Sequence, residues 1–113
     1  MFRDFSIYFK DILESIKRIQ NYVEGMDFNS FKNDSKTIDA VLRNFEVIGM
    51  AVNKVPDNTK ANYPQVEWSE IKAFRNVIVH EYFSIYLETV WEVIQNDLPV
   101  LEQQVKSMLN DLD

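Results

Sequence analysis

The sequence contains no cysteine, two glycines, three prolines and a single histidine. The absence of cysteine excludes disulfides and thiolate chemistry, and it fits a reducing compartment. Glycine and proline are the usual residues of tight turns, so their scarcity disfavours sandwiches and barrels, which need many turns. The chain is therefore expected to consist of a few long elements, which means helices.

Long apolar runs are also missing. No window approaches the ~18 consecutive apolar residues that a membrane helix needs. The first residues lack the uninterrupted apolar stretch of a secretory signal, because charges recur every few positions. We therefore expect a cytoplasmic protein with no membrane partner.

Basic residues are almost absent from the C-terminal third, although the net charge of the whole chain is only −6. Residues 1–75 hold 11 basic and 11 acidic side chains, whereas residues 76–113 hold one basic side chain, Lys106, and seven acidic ones. Nucleic-acid binding depends on neutralising phosphates, so any RNA contact must be local. The last basic residues before the acidic stretch are Lys72 and Arg75, and Lys72 is a candidate phosphate contact.

Apolar residues recur at helical spacing along four segments. The predicted helices are residues 2–24, residues 30–55, residues 67 to the mid-80s, and residues 87–112. Residues 56–66 are predicted to be a loop, and Pro99 is predicted to bend the last helix without ending it. Because there is no linker or internal repeat, residues 1–113 are predicted to form one domain. The expected fold is all-α, an antiparallel bundle of four or five helices.

The second predicted helix carries two neighbouring apolar stripes. Such a helix is either central in its bundle or packed against a partner chain. A domain of this size buries roughly two-thirds of the surface that its unfolded chain exposes, so burial against a second chain would help. The stripes consist of Ile38, Leu42, Phe45, Gly49 and Val52, and of Val41, Ile48 and Val55.

Polar residues of a type used in catalysis are concentrated on the third predicted helix. Asn76 and His80 are four residues apart and share a face, and Arg75 and Tyr82 are seven apart and share a neighbouring face. The flanking residues are apolar, which predicts that the polar groups are set into a partly buried wall; they are Val77, Ile78, Val79 and Phe83. Unpaired polar groups are costly in such a wall, so this segment is the candidate functional site.

A structural interpretation of the same residues has to be weighed against a functional one. A lone histidine on a helix is more often a packed or surface residue than a catalyst. Arg75 would then pair with Glu81 or with a carboxylate of another helix, and Tyr82 would be a core aromatic with its hydroxyl at the surface. One histidine without cysteine also predicts no metal site, and no Walker loop, dinucleotide loop or His-Glu-x-x-His motif is present.

The order of Arg75, His80 and Tyr82 resembles the signature of the HEPN superfamily, in the form found in HepT-like toxin ribonucleases. That signature is arginine, four residues, histidine, one residue and tyrosine, and Asn76 fills the polar position after the arginine. One departure is Met50, where many relatives have glutamate. The similarity covers residues 1–110 or so, is weakest in the first 30, and beyond the motif rests on Ala40–Gly49, Pro64, Trp68, Ile71, Val90-Trp91, Asp97-Leu98-Pro99 and Leu101.

The resemblance implies a HEPN-like two-fold homodimer that acts as the toxin of a type VII-like toxin–antitoxin pair. It implies an endoribonuclease that cleaves RNA, such as tRNA or mRNA, without a metal or other cofactor. Arg75 and His80 are the implied catalytic residues, and Asn76 is a supporting polar residue. Tyr82 is the implied site at which a nucleotidyltransferase antitoxin attaches AMP. One histidine cannot be base and acid in the same step, which fits an active site completed by a second chain.

Two other functions compete with this one. A non-catalytic bundle would bind a nucleotide, or would hold substrate for a nucleotidyltransferase partner, and Arg75 would grip phosphate without cleavage. The acidic balance and Met50 favour that alternative. A purely structural dimerisation bundle would carry no chemistry, so it would tolerate substitution of Arg75, His80 and Tyr82 apart from a loss of stability.

Overall fold

A computed structural model describes residues 5–112. Helices take up most of these residues, and no strand occurs among them, which confirms the predicted all-α fold. The elements are α1 (Ser6–Tyr22), α2 (Phe28–Lys32), α3 (Ser35–Lys54), α4 (Asp57–Ala61), α5 (Trp68–His80), a 3₁₀ turn (Tyr82–Ser84), α6 (Leu87–Glu92), a π-helical segment (Val93–Asp97) and α7 (Leu98–Leu112).

Helix α3 lies at the centre of the bundle. It packs against α1 and α5, and α1 in turn packs against α7. A central position accounts for the two apolar stripes of α3 without a second chain. The buried members of the stripes are Val41, Leu42, Phe45, Ile48, Gly49, Val52 and Val55.

Helix α1 follows its predicted periodicity closely. The apolar residues that recur at helical spacing are buried from Phe9 onward, whereas Phe5 is half-buried. Gly25, just beyond the end of the helix, adopts a positive φ of 77°. This conformation suits glycine after a helix C-terminus. The predicted start of the helix near Phe2 lies outside the described residues. The buried stripe consists of Phe9, Ile12, Ile16, Ile19 and Val23.

The helix predicted over residues 30–55 is instead two helices, so that prediction was wrong at its start. Helical structure is interrupted at Asn33 and Asp34. The carboxylate of Asp34 accepts a hydrogen bond from the backbone N–H of Thr37 at 3.1 Å. Asp27 caps α2 in the same way, accepting from the N–H of Ser30 at 2.8 Å. An aspartate that satisfies the free N–H groups of a first turn begins a new helix, although the apolar pattern runs on.

The loop predicted over residues 56–66 contains the short helix α4, so the segment is less irregular than expected. It is attached to the start of α5 at two points. The indole Nε1–H of Trp68 donates to the carbonyl of Tyr63 at 3.0 Å, and Val66 is buried. These contacts fix where α5 begins.

The third predicted helix ends earlier than expected, at His80 and not in the mid-80s. Glu81 leaves the helical conformation, with φ −130° and ψ 36°, and a 3₁₀ turn follows. Tyr82 therefore does not lie one helical repeat beyond Arg75, and the predicted shared face of these two residues was wrong.

Helical structure continues from α6 to α7 past Pro99, as predicted. Proline has no N–H to donate within a helix, and the pattern of backbone hydrogen bonds changes just before it. The N–H of Leu98 donates to the carbonyl of Val93, five residues back, in a π-type hydrogen bond. The apolar face survives this adjustment, and its buried members are Val90, Ile94, Leu98, Leu101, Val105 and Met108. None of the helices in the described part of the chain is long and apolar enough to span a membrane.

Candidate active site

Helix α5 carries four of the five predicted site residues and is held to the bundle along one side. Ile78 is its one fully buried residue, and the ring of Phe74 meets that of Phe45 of α3 edge-on at a centroid distance of 5.1 Å. The opposite side is open, with Val79 45% exposed, and Phe83 in the turn after α5 is 100% exposed. The predicted partly buried wall is confirmed for Arg75 and Tyr82, which are half-buried, and is wrong for Asn76 and His80, which are exposed.

The side chain of Arg75 packs against α3 at Gly49. A Cβ atom added to Gly49 would lie 2.6 Å from both Cβ and Cγ of Arg75 and 2.8 Å from its Cδ. Only a residue without a side chain leaves room for the arginine at this crossing. The stem of Arg75 is thus held between two helices, and Gly49 is a positioning residue that sequence analysis placed only in an apolar stripe.

The guanidinium of Arg75 lacks partners within residues 5–112. Its Nε is buried and makes no hydrogen bond, and the ion pairs in the described structure are Arg18–Glu14 and Lys106–Glu102. The alternative pairing of Arg75 with Glu81 is therefore not observed. Native proteins satisfy nearly all buried polar groups, so an orphaned donor marks a place where an acceptor group, such as a phosphate oxygen, is expected.

Lys72, Asn76 and His80 follow one another at intervals of four residues along the exposed side of α5. At ~100° per residue they form a gently drifting row, and Arg75 lies on the neighbouring edge. The side chains of Asn76 and His80 are exposed and make no hydrogen bond to any other described residue. His80 is the last residue of α5, so its ring is at the open end of the helix, within reach of a ligand or a second chain.

Tyr82 faces α3 and not the row of polar residues on α5. Its hydroxyl donates to Oδ1 of Asp39 at 2.9 Å, and its half-buried ring lies edge-on to Phe83. Burial, then the hydrogen bond and charge of Asp39, then the charge of Glu46 raise the pKa of Tyr82 to about 12. The hydroxyl is therefore protonated at neutral pH, and it is tied to a carboxylate that sequence analysis did not single out.

An apolar groove of about 630 Å³ runs between α5 and α7, away from Arg75 and His80. Phe74, Val77 and Leu101 are among the apolar residues that line it, and Glu70 lies at its edge. The pKa of Glu70 is raised, mainly by the charge of the adjacent Glu67. Carboxylates that already repel one another do not attract phosphate, so the groove is not the candidate RNA site.

Within residues 5–112, no three histidine, aspartate or glutamate side chains are grouped so that they could hold a metal ion. The candidate site offers a ligand the cations of Lys72 and Arg75. The imidazole of His80 follows them on the same helix.

The sequence matches the family described as Ribonuclease HepT-like over residues 12–108, which is most of the chain. The chain belongs to this family. All five predicted site residues, together with Gly49 and Asp39, lie within the matched part of this HepT-like chain. No solved structure is significantly similar to it.

Several proteins of archaea and bacteria are similar to this HepT-like chain over almost their whole length. A "Putative RNase" of Methanocaldococcus jannaschii is 34% identical over 111 residues, 98% of this chain and 92% of that protein. A "Putative RNase" of Caldanaerobacter subterraneus is 34% identical over 102 residues, 90% and 91% of the two chains. The "Probable ribonuclease HepT" of Thermococcus cleftensis is 31% identical over 108 residues, 96% and 98% of the two chains.

Proposed function

We propose that this chain is an endoribonuclease that cleaves RNA without a metal ion, with Arg75 and His80 as its catalytic residues. The observation that carries the proposal is the state of Arg75, whose stem is fixed against Gly49 while its buried Nε has no partner. A fixed cation without a carboxylate is suited to a phosphate group. The names of the relatives, which describe ribonucleases, support the same function.

The proposed reaction is an attack of the ribose 2′-oxygen on the adjacent phosphorus. The imidazole of His80 takes the 2′-hydroxyl proton, a task that imidazole performs well near neutral pH. The planar donors of Arg75 stabilise the charged phosphorane. Asn76 holds His80 or a phosphate oxygen by a hydrogen bond, and Lys72 contacts a neighbouring phosphate. The bond to the 5′-oxygen then breaks, which leaves a 2′,3′-cyclic phosphate and a protonated 5′-hydroxyl.

The proton for the 5′-oxygen has to come from a second acid, which we assign to His80 of a second copy of the chain. A two-fold dimer would place two histidines and two arginines in one cleft. The open side of α5 and the turn after it support this arrangement, because they expose Val79 and Phe83. Apolar side chains in such a position are suited to burial against another chain.

The proposed regulation is that of a toxin by its antitoxin. A nucleotidyltransferase partner attaches AMP to the hydroxyl of Tyr82, two residues beyond His80. The bulk and negative charge of the adduct then exclude RNA from the site. The position of Tyr82 in the turn directly after α5 supports this role.

The test is cleavage of a labelled RNA in the presence of a metal chelator by the wild type and by His80→Ala and Arg75→Ala. We expect each substitution to lower the cleavage rate by about 10²–10⁴-fold, the usual contribution of a proton-transfer or charge-stabilising group. The matched control is Lys17→Ala, which removes an exposed cation from α1 and should leave the rate unchanged. The product should carry a 2′,3′-cyclic phosphate.

Cleavage by His80→Ala at the wild-type rate would contradict the proposal. Nucleotide binding by the wild type without any cleavage would favour the non-catalytic module instead, because Arg75 would then hold phosphate without reaction. Light scattering of the wild-type protein tests the dimer independently, and a monomer at all concentrations would rule out the shared site.

A further inference from the structure

A hydrogen bond joins the site to α3 through two residues that are 43 positions apart in the chain, Tyr82 and Asp39. We propose that Asp39 is the proton acceptor for Tyr82, so that the tyrosine hydroxyl can attack the α-phosphorus of a nucleoside triphosphate. This inference rests on the proposed modification of Tyr82. It assigns to this chain, and not to its partner, the group that activates the acceptor hydroxyl.

The geometry of the contact is that of a nucleophile and its base. The phenolic O–H points at Oδ1 of Asp39, with 2.9 Å between the two oxygens, which is within the distance required for direct proton transfer. The lone pairs of the phenolic oxygen are left for an electrophile. The ring is half-buried and packs against the hydrophobic core, so the hydroxyl is held close to Asp39 before a nucleotide arrives.

The charges around Tyr82 make such a base necessary. Burial, Asp39 and Glu46 keep the hydroxyl protonated, with a pKa of about 12. At pH 7 only about one molecule in 10⁵ would hold a free phenolate. A neutral phenol has to lose its proton as the new bond forms, and Asp39 is the carboxylate within hydrogen-bond distance.

The proposed step is balanced as follows. A bond forms between the phenolic oxygen of Tyr82 and the α-phosphorus, and the bond from that phosphorus to the bridging oxygen breaks. Pyrophosphate leaves with the electron pair of the broken bond, and the Tyr82 proton moves to Asp39 and then to solvent. The nucleotidyltransferase partner supplies the nucleoside triphosphate.

The same carboxylates determine on which side of Tyr82 the attached AMP lies. After the transfer, Tyr82 has no proton to donate to Asp39, and its phosphodiester is an anion close to Asp39 and Glu46. Like charges repel, so the adduct cannot fold back against α3. It is left beyond the end of α5, on the side of the site.

The test is transfer of AMP from ATP to the purified chain by a minimal nucleotidyltransferase of the proposed antitoxin class, followed by intact-mass measurement. Asp39→Asn keeps an oxygen that accepts the hydrogen bond but takes up no proton. We expect it to slow transfer by about 10²-fold or more, while RNA cleavage stays at the wild-type rate. Glu46→Gln is the matched control, because it removes a nearby carboxylate that makes no hydrogen bond to Tyr82, and we expect it to change the rate by less than about threefold.

The pH dependence distinguishes a base from a merely structural residue. Without Asp39 the reactive form is the phenolate, so transfer to the Asp39→Asn chain should rise about tenfold per pH unit. The ratio of the wild-type rate to the variant rate should therefore fall between pH 7 and pH 9, whereas loss of local structure would leave that ratio constant. Peptide mapping should place AMP on Tyr82 and not on Tyr63, which donates a similar hydrogen bond to Asp111 at 3.2 Å.

Each outcome has a separate meaning. Transfer to Asp39→Asn at the wild-type rate, or a constant ratio of rates, overturns the role of Asp39 and leaves the modification of Tyr82 standing. A wild-type chain that gains no AMP overturns the modification, and the role of Asp39 with it, but leaves the ribonuclease proposal untouched. Ultraviolet titration against a Tyr82→Phe reference tests the contact without any partner. The pKa of Tyr82 should be lower in Asp39→Asn, and an unchanged pKa would overturn the contact itself.

Discussion

Replacing Gly49 with alanine adds a single methyl group to α3, and we expect this small change to disturb the candidate site strongly. The new Cβ would lie 2.6 Å from two atoms of Arg75, whereas ordinary contact begins at 3.4 Å, so the helices must separate locally by about 0.8 Å. One of the two atoms is the Cβ of Arg75, which is attached to the backbone, so rotation of the side chain does not relieve the clash.

The expected magnitude follows from two opposing effects. Overpacking of a tight contact costs about 1–3 kcal/mol, and alanine in place of glycine in a helix returns about 0.5–1 kcal/mol. The two ranges leave a net loss of about 0–2.5 kcal/mol, and a contact at 2.6 Å favours the upper part of that range, about 1–2.5 kcal/mol. This corresponds to a fall in Tm of roughly 3–12 °C for a chain of this length. A displacement of nearly 1 Å in a catalytic group costs up to about 10²-fold in rate.

The assays are thermal unfolding followed by circular dichroism, and RNA cleavage measured well below the Tm of the variant. Asn53→Ala is the matched control, because Asn53 lies one turn further along α3 and is exposed, and it should change neither quantity appreciably. If Gly49→Ala unfolds at or above the wild-type temperature and cleaves RNA at full rate, the stem of Arg75 is not packed as described.

Two further predictions concern stability. Ile78→Ala should lower the free energy of unfolding in urea by about 2–5 kcal/mol, because Ile78 is the fully buried residue of α5; Val79→Ala, at an exposed position, should cost far less, and similar losses for the two would contradict the packing. Asp34→Ala should lower Tm more at pH 7 than at pH 3. Hydrogen bonds from Thr37 lower the pKa of Asp34, so its carboxylate stabilises the fold above the unfolded pKa of about 3.8, and that stability is lost as pH falls through the folded pKa. An equal loss at both pH values would refute the role of the charged cap.

The sequence was most informative where burial sets the pattern. The apolar stripe of α1 and the apolar face that continues past Pro99 were predicted in position and in phase. Positions that are buried at helical spacing are occupied by apolar residues at the same spacing, so the sequence shows the pattern directly. The break before α3 was missed for the opposite reason. The cap formed by Asp34 is a local hydrogen bond, and it interrupts the helix without interrupting the apolar pattern.

The amino-acid composition around the end of α5 led to a wrong prediction of where this helix ends. The run from Val77 to Phe83 is rich in apolar residues and suggests a longer helix, but most of these side chains are exposed and so do not report on burial. The contacts that complete the site were beyond any local pattern. Gly49 meets Arg75, and Asp39 meets Tyr82, only because α3 packs against α5 and against the turn that follows it, and no local pattern in a single sequence predicts that packing.

The π-helical segment before Pro99 also affects how the chain can change in length. Each residue of an α-helix turns the following ones by about 100°, and a π-type turn holds one residue more than an α-type turn. Deleting one residue between Val93 and Asp97 would therefore leave a regular α-type turn through nearly the same angle, and Leu101, Val105 and Met108 would still lie on the buried side of α7. The same deletion inside α7 would rotate the residues after it by about 100°, so the loss of one residue should be tolerated better in this short stretch than in the regular helix that follows it.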